Sequence, residues 1–161
     1  MKAPCFDYAR PETLAAVLAL LAEHGDAAAV LAGGQSLMPM LNLRMTQPGL
    51  LVDINRIAGL DAIGVAGDTL VIGSRARHRD VLNSPLVAAH APLLAEALAQ
   101  VAHAAIRNRG TIGGSLALAD PAAELPACAV CLGATIVTAS IGGERSAPGD
   151  RQGVGGESPL R

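Results

Sequence analysis

Residues 28–37, AAVLAGGQSL, run an apolar segment straight into Gly33-Gly34, with Gln35 and Ser36 behind it. Ala28 to Ala32 reads as a short buried strand, and glycines directly after a strand let the backbone approach a neighbour closely. Successive N–H groups can then converge in one concavity which, with a serine hydroxyl beside it, suits an anion or phosphate. Taken alone, the pair reads just as well as a tight turn. Upstream, Phe6 to Tyr8 is a short strand. Pro11, Glu12 and Thr13 open a helix in which Leu14, Val17, Leu18 and Leu21 form an apolar stripe and Gly25 supplies the stop. Downstream, residues 36–45 (SLMPMLNLRM) form a short helix opened by Ser36 and interrupted early by Pro39, and Leu50 to Ile54 is a second buried strand. The order β-α-β-loop-β describes a small α/β lobe over residues 1–57.

From Leu60 the pattern changes. Residues 65–72 (VAGDTLVI) make a hairpin on Gly67-Asp68. A helix is expected near Arg77 to Leu82, and another over Pro92 to Val101, whose Leu93, Leu94, Ala97, Leu98 and Val101 share a face. Asp120-Pro121 reads as an N-cap with proline at the first helical position, opening AAELPACAVCLGA. Ala134 to Ile141 is a strand, and Gly142-Gly143 the turn after it. Residues 58–143 are therefore a second, mixed α+β lobe. Residues 144–161 lose all apolar period and have the composition of a disordered tail. A strand ending in Gly-Gly should return as a hairpin partner, and no such partner is legible. Two readings stand for that: a frameshift or truncation, and a natural flexible tail.

Composition narrows the function classes. The chain has 161 residues, 51% of them apolar and 16% charged, with a net charge of −2, so wholesale disorder is excluded. Near-neutral charge removes the electrostatic case for nucleic acid or an anionic membrane surface. There is no apolar run long enough to span a bilayer, and the start MKAPCFDYARPE turns polar too early for a secretory signal. Three cysteines offer no disulfide framework, which makes a reducing cytoplasm the expected compartment.

A second glycine pair stands in Arg107-Asn108-Arg109-Gly110-Thr111-Ile112-Gly113-Gly114-Ser115, flanked by two hydroxyl residues. Two such loops, far apart in sequence, read as the two lips of one cleft holding a diphosphate. Neither fits the dinucleotide fingerprint or the P-loop.

Together, LAGGQSLMPMLNLRM (31–45) and IRNRGTIGGSLALADPAAELPA (106–127) resemble the flavin-binding medium subunit of molybdenum hydroxylases, the carbon monoxide and xanthine dehydrogenases among them. The opening FDYARPETLAAVLALLAEHGDAAAVLAGGQSL is similar to it too, so the match covers roughly residues 1 to 145. The resemblance implies a two-subdomain FAD-binding fold of the vanillyl-alcohol oxidase (PCMH-type) superfamily, with FAD between the lobes. It implies that Ala32, Gly33, Gly34, Gln35, Ser36 and Leu37 wrap the FAD diphosphate from the first lobe, and Thr111, Ile112, Gly113, Gly114 and Ser115 from the second. Glu124 falls where the family usually has an aspartate near the ribityl chain, one methylene shorter. Arg107 and Asn108 would shape the loop.

The implied work is electron relay, with an iron–sulfur small subunit and a molybdopterin large subunit as partners and NAD or another acceptor downstream. No residue is arranged as a catalytic nucleophile or base, and none as a metal site. The family continues well past this length, so a truncated remnant that does not hold FAD productively is the alternative. With Phe6 and Tyr8 as its only aromatics, the chain offers little to stack on an isoalloxazine ring.

Other features have plainer readings. Cys128 and Cys131 form a C-x-x-C pair best read as buried core thiols. His24 suits a helix C-terminus. His78, His90 and His103 read as surface or loop histidines. Arg75, Arg77 and Arg79 read as a solvated helix face, and Met38, Met40 and Met45 as gap-fillers under the first loop.

Overall fold

The computed structural model describes residues 2–149. The first lobe is a parallel sheet of β1 (Asp7–Ala9), β2 (Ala28–Leu31) and β3 (Leu50–Asp53), in the order β1-β3-β2. The central strand β3 is buried along its whole length. By contrast β2 is an edge strand with Val30 44% exposed, so it is half-buried, not the buried strand expected of AAVLA. An apolar run alone does not separate a central strand from an edge.

Helix α1 (Leu14–His24) starts after Thr13, whose hydroxyl accepts from the Ala16 N–H at 3.2 Å, and ends at Gly25 with φ +50°. Its Val17 packs with Leu50, Val52 and Ile57 to make the core of this lobe. Helix α2 (Leu37–Asn42) runs through Pro39, which corrects the expected interruption. Pro39 is the third helical residue, in the first turn, where a missing N–H breaks no intrahelical bond.

The second lobe opens with the antiparallel hairpin of β4 (Ile63–Ala66) and β5 (Thr69–Ile72), turning on Gly67-Asp68 with Gly67 at φ +59°. Six short helices follow: α3 (His78–Leu82), α4 (Pro85–His90), α5 (Pro92–Gln100), α6 (Ala104–Arg107), α7 (Ile112–Leu118) and α8 (Glu124–Cys131). Val81, Val87, Leu94, Leu98, Leu125 and Cys128 anchor a separate core. Asp120 does not cap α8, whose N-cap is Ala123. Its carboxylate instead accepts from the Ala122 N–H at 2.9 Å, closing a turn ahead of the helix.

One expectation about the C-terminal segment is overturned. β6 (Thr135–Ser140) does return, pairing antiparallel with β7 (Gly143–Pro148) across Ile141-Gly142. β7 reads GERSAP, polar and largely exposed, so it lacks the alternation that marks a half-buried strand. The rest of the expected disordered tail, residues 150–161, lies outside the described residues. Among the described residues no helix is long and apolar enough to cross a membrane.

Candidate cofactor-binding site

The two glycine pairs do not behave alike. In the first, Gly33 is buried and Gly34 takes φ +72°, turning the chain from β2 into α2. Among the described residues, the N–H groups of Gly33, Gly34, Gln35 and Ser36 donate to no protein acceptor. The Gln35 side chain donates to the Gly33 carbonyl at 3.2 Å, holding that acceptor in place. A run of unbonded N–H groups is what an anionic diphosphate requires.

In the second pair the N–H groups are already used. Ile112 donates to the Ala76 carbonyl, Gly113 to that of Ser74 and Ser115 to that of Thr111, while Gly114 donates to the Thr111 hydroxyl at 3.2 Å. The segment is the capped start of α7, not an open loop. Gly113 is needed because a Cβ there would lie 2.6 Å from the Ser74 carbonyl oxygen. Thr111 is buried, and the Ser115 hydroxyl sits 3.1 Å from His78 Nε2.

The lips nevertheless meet. A Cβ on Gly33 would collide with the Arg109 carbonyl and come 3.1 Å from the Gly110 Cα. Beside this contact lies a cleft of about 500 Å³, lined in part by Gly33, Gly34, Gln35, Met38 and Arg109. Of the expected site residues, Gly33, Gly34 and Gln35 line this cleft. Ala32 lies behind it, its carbonyl accepting from Asn55 Nδ2 at 2.8 Å. Ser36 and Leu37 begin α2. Thr111, Ile112, Gly113, Gly114 and Ser115 do not line it, nor does Glu124, which is exposed at the start of α8. Arg107 fastens its own loop, donating to the carbonyls of Val101 and Ala102 at 2.8 and 3.0 Å.

A polar network missing from the sequence reading joins the lobes. Residues 74–78 run antiparallel to 110–113, with the Arg77–Thr111 bridge between them. That pairing sets Arg77 against the first lobe, where Nη2 donates to Asn55 Oδ1 at 2.6 Å, while Nη1 donates to the Arg109 carbonyl of its own lobe. Arg77 is therefore not part of a solvated face. Burial, with Arg75 and Arg109 nearby, lowers its pKa.

Asn55 Nδ2 also reaches Asp53 Oδ1 at 2.7 Å, and Tyr8 donates its hydroxyl to the same carboxylate. Burial pushes the Asp53 carboxyl up, but bonds from Tyr8 and Asn55 and the charge of Arg10 outweigh it and hold its pKa below the ordinary value. Asp53 and Asn55 stand at the carboxyl end of the central parallel strand, where open α/β sheets take ligands, and that was the signal available in LLVDIN.

Other corrections are local. His78 is buried, not a surface histidine, and burial drives its pKa down against the pull of the Thr111 backbone and Glu124. Arg75 pairs with Asp61 at 2.8 Å. Cys128 is buried but Cys131 is exposed, and Met45 is 70% exposed, filling no gap.

Residues 4–151 match the family described as FAD binding domain in molybdopterin dehydrogenase. The chain is 50% identical over 148 residues to the 6-hydroxypseudooxynicotine dehydrogenase complex subunit alpha of Paenarthrobacter nicotinovorans, covering 92% of this chain and 50% of that protein. It is 49% identical over 140 residues to the caffeine dehydrogenase subunit beta of a Pseudomonas strain, covering 87% and 48%. Among solved structures, a carbon monoxide dehydrogenase from Hydrogenophaga pseudoflava superposes with TM-score 0.91 at 44% identity, over 92% of this chain and 52% of that one. The chain thus spans about half the length of the curated relatives it matches. With an α+β fold of two lobes and a run of free N–H groups on a strand-to-helix turn, the chain belongs to the FAD-binding domain family of the molybdopterin dehydrogenases.

Proposed function

We propose that the chain serves as the FAD-binding electron-transfer subunit of a molybdenum hydroxylase, working with an iron–sulfur small subunit and a molybdopterin large subunit in a reducing cytoplasm. The observation that carries this reading is the set of unbonded N–H groups at Gly33, Gly34, Gln35 and Ser36 beside the cleft. They fit a diphosphate, the anionic part of FAD, and so do the small residues that let the lips close on it.

Ala32 to Leu37 would hold the diphosphate from the first lobe. Thr111 to Ser115 would close the second side. The N–H groups of Ile112, Gly113, Gly114 and Ser115 are committed within the chain, so this side would act through the exposed Gly114 surface and the Ser115 hydroxyl. Glu124 would meet the ribityl chain by reaching from the start of α8. When bound, FAD would supply the redox chemistry of a relay between iron–sulfur clusters and NAD or another acceptor. The chain's own residues bind, orient and enclose.

The test is reconstitution of the complex. The chain, co-expressed with an iron–sulfur and a molybdopterin partner, should co-purify with both and carry a flavin absorption band. A chain that associates with neither and stays colourless after incubation with FAD contradicts the proposal and favours the non-binding remnant.

A further inference from the structure

Arg77 and Asn55 come from different lobes and meet at 2.6 Å behind the two lips. Asn55 has two ends to offer, and a guanidinium can only donate. Arg77 therefore fixes the Asn55 oxygen toward itself and the amide nitrogen toward the Ala32 carbonyl, 2.8 Å away, and Asp53 Oδ1 at 2.7 Å. The Ala32 carbonyl and the Gly33 N–H belong to one planar trans peptide unit and point opposite ways. Holding the carbonyl on Asn55 therefore directs the Gly33 N–H away from Asn55. With its other arm Arg77 holds the Arg109 carbonyl, the atom that packs on Gly33. One guanidinium thus fixes a peptide on each lip.

We propose that Arg77, acting through Asn55, is the positioning residue of the diphosphate cradle: it ties back the Ala32 and Arg109 carbonyls so that the first-lobe N–H groups keep the direction the ligand needs. This rests on the FAD reading above. The device contacts no ligand itself. It sets the orientation of groups that do.

The experiment is a fluorescence titration of FAD into the full chain and into Arg77→Met, Arg77→Lys, Asn55→Ala and the Arg77→Met/Asn55→Ala double variant, at two salt concentrations. Arg79→Met, at an exposed arginine of α3 that among the described residues pairs only with its neighbour Asp80, is the control. Asn55→Ala should weaken FAD binding about tenfold, equivalent to ~1.4 kcal/mol, and the Arg77 variants at least as much because the Arg109 carbonyl is released too. The double variant should bind no more weakly than Arg77→Met alone, since Asn55 depends on Arg77 for its orientation, and Arg79→Met should stay within about twofold of the unmodified chain. The salt dependence should match that of the unmodified chain.

Binding within twofold of the unmodified chain in all single variants overturns the proposal. So does a double variant that binds a further tenfold more weakly than Arg77→Met, the sign of independent effects. A flattened salt dependence in Arg77→Met overturns it as well, since that marks direct contact with the diphosphate. Should Arg77→Met not fold, as read by circular dichroism, Arg77→Lys and Asn55→Ala carry the test. If the unmodified chain itself binds no FAD, the underlying reading fails, a result distinct from any ranking among variants.

Discussion

The carbonyl oxygen of Arg109 occupies the space that a side chain on Gly33 would need. The two lips of the cleft, one from each lobe, are therefore in contact through a glycine. Gly33→Ala should force them apart, destabilising the chain by about 1–3 kcal/mol, as overpacking of a close contact does. Urea denaturation checks the stability. FAD titration checks that binding weakens as well.

The Thr111 hydroxyl caps α7 by accepting from the Gly114 N–H at 3.2 Å. Thr111→Val keeps the shape and removes the cap, with an expected loss of about 1 kcal/mol in denaturant unfolding. Thr111→Ser, which retains the acceptor, should lose less.

His78 gives a pH dependence with a definite sign. Burial holds its folded-state pKa below the ordinary 6.5, so the unfolded chain binds more protons below that point. Its contribution is complete above pH 6.5 and is lost as pH falls toward the folded-state value. Unfolding midpoints measured from pH 7.5 to 5 should fall more steeply for the unmodified chain than for His78→Gln, which does not titrate.

Asp53 acts in a lower window. Its folded pKa lies below the ordinary 3.8, so its contribution is present above that value and is lost as pH falls through the folded-state one. Asp53→Asn should flatten the acid limb of the stability curve below pH ~4. It should also loosen Tyr8 and Arg10, whose ion pair with Asp53 measures 3.4 Å.

Where the fold was legible in sequence, local pattern and tertiary role agreed. LLVDI formed a strand, Gly67-Asp68 turned a hairpin and α5 buried Leu94 and Leu98 from the predicted face. Where legibility failed, a partner outside the local window decided. GERSAP is a strand because β6 supplies its hydrogen bonds, and Pro39 sits in a helix because of its position in the first turn. Both glycine pairs are legible in the sequence, but their difference is not, because whether an N–H is free depends on distant carbonyls such as those of Ser74 and Ala76. Arg77 looked like one charge in an R-x-R-x-R run. Only the pairing of residues 74–78 with 110–113 sets it against Asn55.

The Gly33–Ser36 turn is the proposed cradle for the diphosphate of FAD. Its most direct test is a calorimetric comparison of FAD with riboflavin, which has the isoalloxazine ring and ribityl chain but no phosphate. FAD should bind with a stoichiometry near one and riboflavin at least a hundredfold more weakly, a difference of about 2.7 kcal/mol. Equal affinity for the two ligands, or no heat with either, would contradict the account.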